Sequence, residues 1–405
     1  MDLALRLRRD GYAALDRDRQ ARGGGTTYAS RLLARRAVVL GGEEGARVFY
    51  DESVVERKGA VPPPLGWLLF GRGAVHSLDG GRHRTRKAMF TGRLGPEQVA
   101  ACAALARERL EASLPDWDGS TADLHDRLAV AYGGAVLTWV GIDLDEDERR
   151  AWSRRYARIV GGFGFAGPRL YARAWRERTV TDRWARRLVT AVRAGELAPP
   201  EGSVLATIAA TDLDDSTAAV ELGNVVRPTI AVAWLGVHAA AALAGLPPQE
   251  RALLAETTAE DRRWAFAEEV RRTTPFVPAL AGRVRRRTKH GGVDLRVGDF
   301  VVLDVRGIDL DERHYPDPTE FRADRFAERR PTPYDLVPQG GGPLEGHRCP
   351  GESMTLQLLV QTTAVLAEVL TGPEASTPDP DLGRIPTLPR LGLYLSVARP
   401  GTRRS

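Results

Sequence analysis

A chain can accommodate the segment from Glu221 to Leu243 only by surrounding it. At helical spacing its residues are apolar on nearly every side, so a helix built from them belongs at the centre of a large, mostly helical body. The apolar run Thr229 to Leu246 approaches the length of a membrane span. His238 within it and the arginine just before it favour a core helix instead. That arginine, Arg227, cannot be buried charged and unpaired without a large desolvation cost, so it requires an anionic partner. The residues alone favour a carboxylate of the chain, with Glu221 a candidate; a bound anion is the other option. Pro228 follows, removes the backbone bond to the carbonyl of Asn224 and is expected to kink the helix.

With 405 residues, 43% of them hydrophobic, the chain can bury a core of that size. Helical patterns run near Pro96 to Leu114, Thr121 to Val140, Glu146 to Val160 and Pro168 to Ala194. Strand-like runs cluster at about 25–60, 283–305 and 385–398. The expectation is one domain over 1–405, mainly α with a small β lobe assembled from both chain ends. Two cysteines far apart, Cys102 and Cys349, give no disulfide framework and point to a reducing cytoplasm. Leu3 to Leu15 is broken by arginines and does not read as a secretory leader. The net charge of +5 comes from arginines spread along the chain, including a cluster from Arg173 to Arg187. With no recognition module beside them, they read as solvated helix faces, and no nucleic-acid or membrane partner is expected.

Chemistry concentrates near the end, in Pro338-Gln-Gly-Gly-Gly-Pro-Leu-Glu-Gly-His-Arg-Cys349-Pro350-Gly351-Glu352. This glycine-rich loop runs into a helical pattern from Ser353 to Leu370. Pro350 is expected at the first helical position, with Cys349 at the helix start. There, orphan N–H groups and the helix dipole would lower the thiol pKa and suit the sulfur to a metal.

Glycine-rich loop, His347-Arg348, Cys349, Pro350-Gly351 and helix together resemble the haem-binding loop of cytochromes P450, whose cysteine sulfur is the axial iron ligand. Phe266-Ala-Glu-Glu269-Val-Arg-Arg272 is similar to the Glu-x-x-Arg pair of that fold, and Phe321-Arg-Ala-Asp-Arg325-Phe326 to the segment that meets it. Two departures narrow the resemblance. The usual phenylalanine at the loop's start is absent, with Leu344-Glu345 enlarging the loop, and Arg227-Pro228 stands where most members carry an acid and a threonine. Both resemble the fatty-acid peroxygenase branch.

That resemblance implies a haem b ligated by Cys349 and hydrogen peroxide as oxidant, with no obligatory redox partner. The substrate would be a fatty acid or other carboxylic acid anchored on Arg227, whose own carboxylate replaces the missing protein acid. Products would be 2- or 3-hydroxy acids, or terminal alkenes by loss of carbon dioxide. Arg227, Pro228 and His76 would be the catalytic residues, and alkene-forming members resemble this chain in having a histidine in the matching loop. Arg57, His83 and Lys87 match positions that meet the haem propionates, and Gly342 and Arg348 belong to the cofactor loop. Phe70, His76, Phe163 and Phe165 would line the substrate pocket. Two other readings remain open: a P450 using oxygen and external electrons on another acid, and a non-catalytic haem or acid-binding protein.

Overall fold

The computed structural model describes the chain except residues 165–166, 372–379, 390–394, 396 and 398–405. Phe165 and half of the strand expected at 385–398 therefore lie outside the described residues.

The expected core helix spans Asp215–Gly245. Asp214 caps it, its carboxylate accepting the N–H groups of Ser216 and Thr217 at 3.0 Å each. Nearly all its apolar side chains are buried, so its membrane-like length belongs to a core element. The helix runs on through Pro228, while the Thr229 hydroxyl turns back to the carbonyl of Val225 at 3.0 Å. The helices Thr121–Trp139, Pro168–Arg193 and Glu352–Val369 pack around it. Proline in the first turn starts both Pro96–Ser113 and Pro168–Arg193, and a capping box of Asp145 and Glu148 starts Glu146–Gly161.

Seven described strands form two sheets: β1 Thr27–Leu32, β2 Arg35–Leu40, β3 Val55–Glu56, β4 Ala279–Val284, β5 Thr288–His290, β6 Val293–Leu295 and β7 Phe300–Asp304. The larger has the order β1-β2-β7-β4-β3, and β5 and β6 make a separate hairpin. β2 and β7 pair in parallel from Ala37 with Phe300 to Leu40 with Leu303, joining the early and late parts of the chain. Alternate residues of this sheet feed two apolar clusters, one on Phe49 and Val301, the other on Leu3, Tyr28 and Phe300.

Three local expectations need correction. β4 begins at Ala279, because its register on β7 pairs Ala279 with Asp304; the arginines that follow Val284 leave the sheet. The helical patterns named from the sequence start at Pro96, yet Pro63–Leu69 already forms a helix, since proline is tolerated in a first turn where no N–H is needed. The helix after the cysteine begins at Glu352, not Pro350. Gly351 is its N-cap, and the first helical bond runs from Thr355 N–H to the Gly351 carbonyl at 3.0 Å. Cys349 thus lies in the turn just before the helix.

Candidate active site

The sequence's Glu-x-x-Arg pair closes into a buried triad. Arg272 holds Glu269 bidentately at 2.7 and 2.8 Å, and Arg325 reaches the same carboxylate at 3.0 Å. Remaining donors of Arg272 go to the carbonyls of Asp309 and Pro318. Both Glu269 and Arg272 are 0% exposed, which is tolerable only because each charge is met.

The cysteine loop is fixed from several directions. Cys349 N–H donates to the Gln339 carbonyl at 3.2 Å, and Gly342 N–H to that of Pro333 at 2.8 Å. Gly342 has φ +78°, and a Cβ there would stand 2.9 Å from Tyr50 Cβ, so glycine is required for loop packing. Burial raises the Cys349 thiol pKa, and a bond from Gly351 N–H together with the Lys87 charge only partly offsets this. The lowering expected from the helix start is therefore outweighed. A coordinated metal would deprotonate such a thiol outright.

The basic residues of the Gly80–Thr91 helix divide their work. Lys87 Nζ donates to the carbonyls of Gly346 and Arg348, so its ammonium is spent on the cysteine loop. The Arg348 side chain donates to Glu352 at 2.6 Å. His83 stacks on His347 with ring centroids 4.0 Å apart, and its Nδ1 is buried without a partner. Arg57 lies over Phe49 at 3.9 Å and also has a buried nitrogen, Nη1, with no partner. Unpartnered nitrogens on Arg57 and His83, near a cysteine that keeps accessible surface, fit a flat metal cofactor with anionic arms.

Arg227 sits on the central helix with 4% exposure. Its Nη1 is buried without a hydrogen-bond partner, and it forms no ion pair among the described residues. Glu221, the candidate partner in the sequence, is committed elsewhere: its carboxylate takes Arg86 at 2.9 Å, Val75 N–H at 2.8 Å and Asn224 at 3.0 Å. Six residues of helix turn the two side chains to different faces. Burial, and then the like charge of Arg178, pull the Arg227 pKa down to about 9. Such a site gains by receiving an anion.

His76 stacks on Phe70 at 4.2 Å with 17° between planes. It keeps accessible surface, yet burial together with Arg227 and His347 pushes its pKa down to about 3. The two facts agree if the ring faces an internal space walled by protein, where it stays neutral. Phe163 is half-buried beside Gly164, which has φ +77° and where a Cβ would lie 2.0 Å from the Ile385 carbonyl oxygen. Gly164 thus serves close packing as well as a turn. Sequence reading missed Tyr156, Arg178 and Asp182, which act on Arg227 from two other helices. Only the i,i+4 spacing of Arg178 and Asp182 hinted at them.

The cytochrome P450 family model matches residues 265–381. The structure of cytochrome P450SP alpha with (R)-ibuprofen is 33% identical and covers 99% of this chain and 100% of that one, with a TM-score of 0.91. The chain is a cytochrome P450. Its neighbours place this P450 in the fatty-acid peroxygenase branch, as a haem-thiolate oxidoreductase. An OleT variant with arachidonic acid is 28% identical, covering 98% of this chain and 96% of that one at a TM-score of 0.90. P450EX alpha with myristic acid is 29% identical, covering 98% and 97% at 0.89. Among curated sequences, cytochrome P450 138 of Mycobacterium tuberculosis is 24% identical over 82% of this chain and 80% of its own.

Proposed function

We propose that this P450 uses hydrogen peroxide directly, without a redox partner, to oxidise fatty acids whose carboxylate sits on Arg227. The single observation behind the reading is the buried guanidinium with an unpartnered donor, while the nearby Glu221 is fully engaged by other groups. A carboxylate fits that vacancy in charge and in shape, since guanidinium donors lie parallel and bind it bidentately.

Cys349 would hold the haem, and Arg57 and His83 have the free nitrogens that would meet its carboxylates; when bound, that group would supply O–O cleavage and oxygen transfer. The chain's residues do the rest. Arg227 fixes the head of the acid, so only carbons next to the carboxylate come within reach. The seated carboxylate holds and returns the proton that the acid of other family members handles. Pro228, next to Arg227, offers no N–H and leaves the Asn224 carbonyl without its helical donor. His76, neutral and held flat on Phe70, is a hydrogen-bonding group at the first carbons, and Phe70 and Phe163 give the chain an apolar wall. Products are 2- or 3-hydroxy acids and terminal alkenes, with His76 bearing on the balance.

The test is product analysis with peroxide alone on saturated acids and their methyl esters, beside reactions with a reductase and NAD(P)H. Peroxide should support turnover of acids and not of esters. Turnover that needs reductase and NAD(P)H, or esters oxidised as readily as acids, would overturn the reading.

A further inference from the structure

The helix Glu260–Thr273 carries two overlapping Glu-x-x-Arg pairs, and only one belongs to the buried triad described above. The second, Glu268 and Arg271, is offset by one residue. About 100° of helix rotation therefore turns it toward a different neighbour. Arg271, 1% exposed, donates to Glu268 at 2.6 Å and to Glu352 at 2.5 Å. Glu352 is the first residue of the helix after the cysteine, and its other oxygen takes Arg348 at 2.6 Å. Arg348 immediately precedes Cys349, and its carbonyl accepts from Lys87 at 2.5 Å.

The cysteine is thus flanked by Arg348 and Glu352, both tied into one line of four alternating charges that ends at Arg271 and Glu268. No substrate group is needed to complete it. Arg271 and Glu268 are buried and Glu352 and Arg348 half-buried. Water therefore screens these charges only in part, and so close to a metal ligand their field reaches the sulfur as well as holding the loop. We propose that the Glu268, Arg271, Glu352, Arg348 line positions Cys349 and sets how strongly its sulfur donates to the haem iron. Glu268, Arg271 and Glu352 are positioning residues; none touches substrate. Nothing in this depends on Arg227 or on the oxidant.

Charge balance gives the test its sign. The line is neutral, so Glu268→Gln leaves one uncompensated positive charge near the sulfur and favours the reduced iron. The ferric/ferrous equilibrium of the holoenzyme should move about tenfold toward ferrous, the order expected for a unit charge about 10 Å away at an effective dielectric of about 20. For a one-electron couple that is a rise of about 59 mV. The double substitution Glu268→Gln, Arg271→Gln removes one charge of each sign and should return toward the parent value. Potential and the reduced-CO spectrum are both read. If Glu268→Gln loses haem, Glu352→Gln should give the same upward shift, and Glu268→Asp should keep the parent value. A merely structural role expects the double variant to depart furthest from the parent. That result, or a carboxylate-to-amide variant with bound haem and a potential within twofold of the parent equilibrium, would overturn the proposal.

Discussion

Two buried arginines on neighbouring helices of the same core have opposite accounts. Arg272 meets a carboxylate, two backbone carbonyls and a second arginine that shares the carboxylate. Arg227 is nearly as inaccessible and leaves a donor unpartnered. A charge met entirely from within holds the chain in one conformation. A charge left unmet is a cost that only an incoming group can offset, which marks it as a place for a ligand. Burial alone does not separate a structural arginine from a binding one; the partners do.

The comparison breaks most visibly at the triad. Arg272→Met leaves the buried Glu269 carboxylate with only Arg325 and the Arg322 N–H, both on one oxygen, and chemical denaturation should show a loss of about 3–5 kcal/mol or failure to fold. Arg227→Met exchanges an unpaired buried charge for an apolar chain of similar length. Its ligand-free melting temperature should equal or exceed the parent's, while peroxide-driven turnover of fatty acids is lost. A melting temperature that falls as far as the triad variant's would show that Arg227 is structural after all.

Gly71→Ala gives a smaller effect. A Cβ there would lie 2.4 Å from Arg178 Nη2 and 2.6 Å from Val220, at φ +92°, so a loss of about 1–3 kcal/mol is expected from overpacking and strain. Because Arg178 acts on Arg227, acid binding should weaken along with stability. The smallest effect concerns acid. Burial works against the Asp79 carboxylate, yet His347 and the N–H groups of Arg57 and Lys58 bring its pKa down to about 2. Its contribution is present above about pH 4 and is lost as pH falls toward 2. Asp79→Asn should flatten that limb of the stability profile measured by melting temperature.

Much of the helical frame was legible because its signals are local. Proline at Pro96 and Pro168 and an unbroken apolar run each specify a helix start or a core position without reference to anything distant, whereas the caps Asp145 and Asp214 went unread. The cysteine loop and the Glu269 and Arg272 pair were legible for another reason, a resemblance carried by order along the chain. What escaped depends on where a side chain ends up. The resemblance set His83 and Lys87 toward the haem propionates, but it could not say that the amine would turn to the Gly346 and Arg348 carbonyls. It set Glu221 beside Arg227 in sequence without showing that Arg86 and Val75 claim the carboxylate first. Glu268 and Arg271 were hidden by their own neighbours, since one Glu-x-x-Arg pair accounted for the motif. The start of the last helix was misplaced because proline is equally at home just before the N-cap, two residues ahead of the first helical position, and the Gly351 carbonyl decided the matter.

Calorimetric titration of the holoenzyme with a saturated long-chain acid, parent against Arg227→Met, tests the central claim most directly. The parent should bind the acid with release of heat and bind its methyl ester far more weakly, and the variant should bind acid and ester alike. Equal affinity of parent and variant for the acid would contradict the account, whatever the products of turnover turn out to be.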